Sequence, residues 1–263
     1  LLLKQTLWFA QRNAFDLVYI TTFSDQVTLI SVLNYFGFDY TYDNEMGEQV
    51  FEKRLSPARL LPAEGKNLFD LARAQYPRFV GREPAEAFCV PIQSAYHNTL
   101  FPELANPVQG DLFGSSTSTS IARTPGNTIR KVYLCRAPTN KIQVGSVLVF
   151  YRSSSPGYSS SQSVTSIGIV ESVTKASSLE DLVRLTGKRS VYSEEQLNAL
   201  AATNAKPVKV IDFLLIGHID PPLKLAYLKQ HNVFKGSPPQ SICKLPPARF
   251  KAVRDKMNFG FQV

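Results

Sequence analysis

The chain has 263 residues, 44% hydrophobic and 19% charged, which fits a globular protein with a buried core and room for two domains. No apolar run approaches the roughly 18–20 residues of a membrane span, and the first residues lack the basic n-region and small-residue cleavage site of a signal peptide. The net charge of +8 is uneven: residues 1–55 are net −3, residues 56–125 are neutral and residues 126–263 are net +11. A basic half of this kind suits a polyanionic partner.

Leu1–Ala14 reads as an amphipathic helix with Leu3, Leu7 and Ala10 at helical spacing. Leu17–Phe23 is a β-branched and aromatic strand. Ser24 and Asp25 are placed to cap a helix over Gln26–Phe36, and Gly37 is placed to end it in the left-handed conformation. Phe38–Tyr42 and Glu48–Leu55 read as a hairpin about the turn at 43–47. Residues 56–86 are punctuated by four prolines and read as a connector with little core of its own, with a short helix over Leu68–Gln75. Ala87–Ile92 reads as a strand and Ala95–Phe101 as a helix or turn, while Gly114–Ser120 is of low complexity.

From residue 126 the pattern turns to β, with strands over Thr128–Cys135, Ser146–Arg152 and Val164–Val173 and a serine-rich loop over Ser153–Ser163. Serine-capped helices follow over Glu180–Thr186 and Glu194–Ala202. Val208–Ile219 is the last long strand, and Leu223–Gln230 and Pro247–Met257 are closing helices. Several strands with long connections and peripheral helices suggest a small, partly open barrel.

The three cysteines, Cys89, Cys135 and Cys243, are far apart and odd in number, with no C-x-x-C. They read as small buried hydrophobes in a reducing, cytoplasmic setting, which argues against a disulfide framework or zinc ribbon. His97, His218 and His231 are isolated, with no metal-ligand spacing. There is no P-loop, G-x-G-x-x-G, H-E-x-x-H or G-x-S-x-G, and no nucleophilic triad can be assigned.

The stretch 16–55, a strand, a helix ending on Gly37-Phe38 and a hairpin, resembles the C-terminal part of a GNAT-type N-acetyltransferase. The resemblance implies acetyl-CoA as cofactor, with its pyrophosphate held at a helix N-terminus by a loop preceding Leu1. It makes Lys4 and Gln26 the cofactor contacts. The family often places a tyrosine acid four residues before this glycine, where the chain has Leu33. Tyr35 is then the candidate acid, with Tyr19 a second phenol nearby. Read this way, the chain starts in the middle of a fold and is expected to lack the transferase activity by itself; the acyl acceptor, an amine, is not specified.

A second resemblance covers more of the chain. VGSVLVFYRS over 144–153, followed by SIGIVESV over 166–173, is similar to the PUA-like superfamily, especially its EVE and ASCH members, with Ser146 in place of the usual Asp. Pro239-Gln240-Ser241-Ile242 resembles that architecture's closing turn. The resemblance implies a small pseudo-barrel that binds RNA or a modified nucleobase. Tyr151, Arg152 and Ser153 would rim the pocket, Gln240 and Ser241 would lie at the closing turn, and Asn127, Arg130 and Lys131 would contact phosphate. Along the strand over Ser146–Arg152, read as an ordinary half-buried strand, Phe150 is expected in the core and Tyr151 at the surface.

The expected architecture is therefore α+β. Residues 1–55 form a partial GNAT-like half-domain, residues 56–75 a connector, and residues 76–263 a PUA-like β-barrel with peripheral helices. The leading expectation is a fragment of an N-acetyltransferase carrying a nucleic-acid- or nucleobase-binding module. The alternative is a non-catalytic RNA- or modified-base-binding protein whose GNAT-like half is degenerate. A protein-interaction role for the PUA-like part is a third reading. No metal and no membrane partner are expected.

Overall fold

The computed structural model describes residues 2–56, 67–79, 86–105, 128–154, 161–189, 191–200 and 202–257. The chain divides into two compact units, residues 2–85 and residues 86–257.

In the first unit, α1 (Leu2–Arg12) buries Lys4, Leu7 and Ala10 along one face. Strands β1 (Leu17–Thr22), β2 (Asp39–Asp43) and β3 (Gln49–Arg54) form an antiparallel sheet in the order β1-β3-β2. Between β1 and β2 lies α2 (Val27–Tyr35), whose N-cap is Gln26 rather than Ser24 or Asp25; no side chain caps it. Its C-terminus follows the expectation. Gly37 adopts φ +72°, its N–H donates to Asn34 O, and the Phe38 N–H donates to Leu33 O, the paired bonds of a Schellman motif.

The segment expected to be a connector belongs to this unit's core. In α3 (Leu68–Gln75), Phe69, Leu71 and Ala72 are buried, as are Tyr76 and Phe79 just beyond it. Proline punctuation hides this in the sequence, because the packing is supplied by α2. Phe36 meets Tyr76 edge-on at 5.8 Å, and Arg73 lies over the Tyr35 ring at 4.4 Å. The buried Lys53 ammonium donates to Phe36 O at 2.6 Å and to Ala74 O at 2.8 Å, joining the C-terminal ends of two helices where a cation is favoured. Burial, helped by the Arg78 charge and opposed by Asp39, lowers its pKa to about 7.

The second unit is built on a six-stranded sheet in the order β5-β8-β7-β6-β4-β9. The strands are β4 (Ala87–Ile92), β5 (Arg130–Cys135), β6 (Val147–Arg152), β7 (Ser163–Ala176), β8 (Val208–Lys224) and β9 (Cys243–Leu245). Among the described residues only β4 and β6 pair in parallel. The architecture is mixed α+β, and among the described residues the sheet does not close, which corrects the expected barrel. It does curl: the Tyr133 hydroxyl of β5 donates to Pro91 O of β4 at 3.4 Å, although three strands lie between them in the order. The helices are α4 (Ser94–Leu100), α5 (Pro102–Ala105), α6 (Leu179–Thr186), α7 (Glu194–Ala199), α8 (Leu225–Gln230) and α9 (Pro247–Arg254). The serine caps read from the sequence form at Ser178 and Ser193, the latter in a full capping box with Gln196.

Strand β6 is buried along its whole length. Phe150 packs against Phe101 at 5.0 Å and Phe213 at 4.9 Å, while Tyr151, on the opposite face, packs edge-on against Phe234 at 5.2 Å. Each such ring, fully removed from water, contributes roughly 1.5–3 kcal/mol. The expected split of Phe150 inside and Tyr151 outside therefore does not hold; both faces of this central strand are covered.

Candidate functional site

The site is built where β4 and β6 end side by side. Their parallel pairing sets Ile92 opposite Arg152, and the Ser153 N–H donates to Ile92 O at 2.9 Å. Helix α4 starts there, so Ser94 lies under the Arg152 side chain: Arg152 Nε donates to Ser94 Oγ at 3.1 Å, and Ser94 Oγ donates to Ser153 O at 3.4 Å. One turn along α4, His97 is buried with Nε2 2.7 Å from Thr165 Oγ1 on β7.

Thr165 owes its aim to a β-bulge. In the β6–β7 register Phe150 faces Ser166 and Tyr151 faces Val164, leaving Thr165 as the extra residue. A bulge of this kind re-aims a side chain, and here it sets two hydroxyls together: Ser166 Oγ donates to Thr165 Oγ1 at 3.3 Å, and Thr165 Oγ1 donates to Phe150 O at 3.5 Å. Ser166 Oγ is 2.8 Å from His218 Nδ1 on β8, and His218 Nε2 is 3.6 Å from Glu103 Oε2 on α5. Phe101 presents its ring to both imidazoles, at 5.1 Å from His97 and 5.6 Å from His218.

Each imidazole therefore shares one hydrogen with a hydroxyl, His97 through Nε2 with Thr165 and His218 through Nδ1 with Ser166, the direction of each bond following the tautomer. His97 is kept neutral: burial lowers its pKa to about 3, with the Arg152 and His218 charges adding to the shift and the Asn98 side chain opposing it. The order Ser166–His218–Glu103 has the outline of a nucleophile, base and carboxylate. Ser166 is 0% exposed, however, so its hydroxyl is not presented to a substrate at the surface. The chain instead offers donors and acceptors in two hydrogen-bonded groups, Arg152–Ser94 and His97–Thr165–Ser166–His218, brought together by α4, with Glu103 3.6 Å beyond His218. This line is closed at Ser94, His97 and Ser166 and reaches the surface at His218 and Glu103, whose side chains are 10% and 23% exposed.

Of the residues nominated from the sequence, Arg152 and Ser153 belong to this line. Tyr151 does not: it lies on the other face of β6, 1% exposed, and burial pushes its pKa up to about 12. It presents no ring for stacking at the surface. Lys131 is fully buried, donating to Leu100 O at 2.7 Å with its ammonium 5.5 Å from the Phe101 ring centre. It is an internal support of α4 rather than a surface phosphate contact. Arg130 is at the surface in an ion pair with Glu171 at 2.6 Å. Gln240 and Ser241 are exposed, with Gln240 Nε2 donating to Pro238 O at 3.4 Å. Asn127 and the 114–120 stretch lie outside the described residues.

In the first unit, Lys4 is 2% exposed with its ammonium 5.2 Å from the Trp8 ring centre, so it is not presented to a cofactor phosphate. Gln26 is exposed and donates to Asp25 Oδ1 at 3.2 Å. Tyr35 is exposed and carries Arg73 on its ring. His97, Thr165, Ser166, His218 and Glu103 were missed by sequence reasoning. The one signal available was that Asp212 and His218 interrupt the most apolar strand; each has a built partner, Asp212 with Arg189 at 2.5 Å and Ser172 at 3.0 Å.

No family model matches the chain, and no curated protein matches it. Solved structures similar to its fold include the following. The neighbours are ASCH proteins. The ASCH protein from Zymomonas mobilis is 16% identical with a TM-score of 0.43, covering 65% of this chain and 96% of its own. Two single-residue mutants of that protein are each 14% identical, with TM-scores of 0.45 and 0.44, covering 65% of this chain and 96% and 99% of their own. No residue role is carried over from them. Among the described residues no helix is long and apolar enough to cross a membrane, and no group of His, Cys, Asp or Glu is arranged to hold a metal ion.

Proposed function

We propose that residues 86–257 form a nucleic-acid-binding domain that takes a base of single-stranded RNA against the Arg152–Glu103 line. The observation that carries this reading is the mixture of groups in that line. A phosphate site needs cations and N–H donors alone, whereas a base edge presents donors and acceptors together. Arg152 supplies donors, and Glu103 supplies an acceptor at the exposed end suited to an exocyclic amine. The +11 charge of residues 126–263 supplies the non-specific attraction for the strand. On this reading the first unit is a scaffold. Its helix–strand–helix–hairpin order is that of the segment on which the acetyltransferase resemblance is drawn, but Lys4 is buried against Trp8, and acetyl-CoA dependence has no support from the comparisons.

The test is a fluorescence-anisotropy titration of a short single-stranded oligoribonucleotide at several salt concentrations. The wild-type chain is expected to bind with affinity that falls steeply with salt. Arg152→Met is expected to weaken binding on the order of 10–100-fold, the loss typical of a charged hydrogen bond, with a cooperative melting transition as the control that the variant is folded. Equal binding by a folded Arg152→Met chain would remove the line from the interface.

A further inference from the structure

Cys89 and Cys243 are separated by more than half the chain, yet they are directly opposed in the antiparallel β4–β9 pair. Opposed residues of such a pair have Cα atoms about 4.5–5.5 Å apart, within the span of about 4.4–6.8 Å that a disulfide bridges. Both thiols are free. Their environments differ. Cys89 is fully buried, and burial holds its thiol well above the ordinary range. Cys243 is half-buried on the three-residue edge strand β9, and the Cys89 hydrogen bond together with the Arg249 charge brings it down to about 7. Cys135, the third cysteine, is raised by burial and has neither cysteine as its strand partner.

The geometry points to a peroxide-responsive dithiol: a reactive Cys243 on the edge strand resolved by the buried Cys89 into a cross-strand disulfide that ties β9 to β4. The Cys243 thiolate attacks one oxygen of hydrogen peroxide, the O–O bond breaks, and Cys243 becomes a sulfenic acid while the departing hydroxide takes a proton to form water. The Cys89 sulfur then attacks the Cys243 sulfur. The S–O bond breaks, and the Cys89 proton leaves with the hydroxide as a second water. Two thiols are oxidised by two electrons and one peroxide is reduced. The resolving thiol needs no solvent access, because its partner brings the oxidised sulfur to it. The bond would pin the strand that follows the Pro239–Ile242 turn, so the state of Gln240 and Ser241 would depend on redox conditions. This inference is independent of the RNA-binding reading.

The test treats the reduced 263-residue chain with one equivalent of hydrogen peroxide and then blocks remaining thiols with a maleimide. The wild-type protein is expected to lose two hydrogens in intact mass and to go from three labelled cysteines to one, with the label on Cys135. Peptide mapping should show Cys89 joined to Cys243, separable by dithiothreitol. Cys243 should react at least about tenfold faster than Cys135. In Cys89→Ala, Cys243 should gain oxygen and stop at a dimedone-reactive sulfenic acid. In Cys243→Ser, a change at a half-buried site that spares the core, no linkage should form. Oxygen addition to the wild-type protein without a Cys89–Cys243 linkage, or a linkage through Cys135, would overturn the proposal.

Discussion

His97 and Tyr151 show how burial, rather than residue type, decides what a side chain does here. His97 is neutral in the folded chain because its pKa lies near 3 against 6.5 for the free side chain. The unfolded chain therefore takes up this proton first as pH falls. The stability His97 contributes is complete above about pH 6.5 and is lost progressively toward about pH 3. In urea unfolding followed from pH 7 to pH 4, the His97→Gln chain should lose stability less steeply than the wild type; parallel slopes would show that His97 is not the group responsible. The Tyr151 hydroxyl has no hydrogen-bond partner among the described residues, so Tyr151→Phe should leave the unfolding free energy unchanged within about 1 kcal/mol or raise it. Tyr151→Ala, which empties the space beside Phe234, should cost about 3–5 kcal/mol. Neither histidine could be assigned from the sequence. His97 and His218 meet only because β7 pairs with β8 and α4 folds back over both, which no local spacing records. Lys131 was misread for a related reason: a lysine in an alternating strand looks like a surface charge until a carbonyl such as Leu100 O is brought to it.

At the scale of elements, most strands and helices were legible because β-branched runs, serine caps and the Gly37 stop are local signals. The bulge at Thr165 was not, since it is a property of the pairing between β6 and β7 and not of either strand alone. The same pairing logic explains Cys89 and Cys243, whose separation in sequence suggested isolated thiols and whose register opposes them. Two glycines show how tightly the elements approach. A Cβ on Gly168 of β7 would lie 2.4 Å from Phe213 Cδ2, so Gly168→Ala must displace that ring and should destabilise the chain by about 1–3 kcal/mol in urea unfolding. A Cβ on Gly37 would lie 2.2 Å from Ala74 O, a backbone atom, at a φ of +72°. Gly37→Ala should therefore cost more than Gly168→Ala, through both the left-handed backbone and the forced separation of α2 from α3. Equal effects would mean that the α2–α3 contact yields easily.

Across the whole molecule, the charge asymmetry was fully readable from the sequence. The division into two units falls near residue 85 because Lys53, Phe36 and Tyr76 draw α3 into the first unit, whereas the sequence suggested a half-domain over 1–55, a connector over 56–75 and a second domain from 76. The sequence suggested a partly open barrel, and among the described residues the six-stranded sheet curls without closing; strand count alone does not reveal which edges pair. The basic surplus of residues 126–263 predicts an affinity for polyanions of any sequence. The buried line from Arg152 to Glu103 predicts something narrower, that a base enters among the imidazoles. Imidazole ¹H–¹⁵N NMR on the histidine-labelled chain separates the two most directly, with a single-stranded oligoribonucleotide added at moderate salt. Shifts at both His97 and His218, with His231 unmoved, are the expected result. Binding, confirmed by anisotropy on the same sample, that leaves the His97 and His218 signals where they were would contradict a base-recognition site in this line.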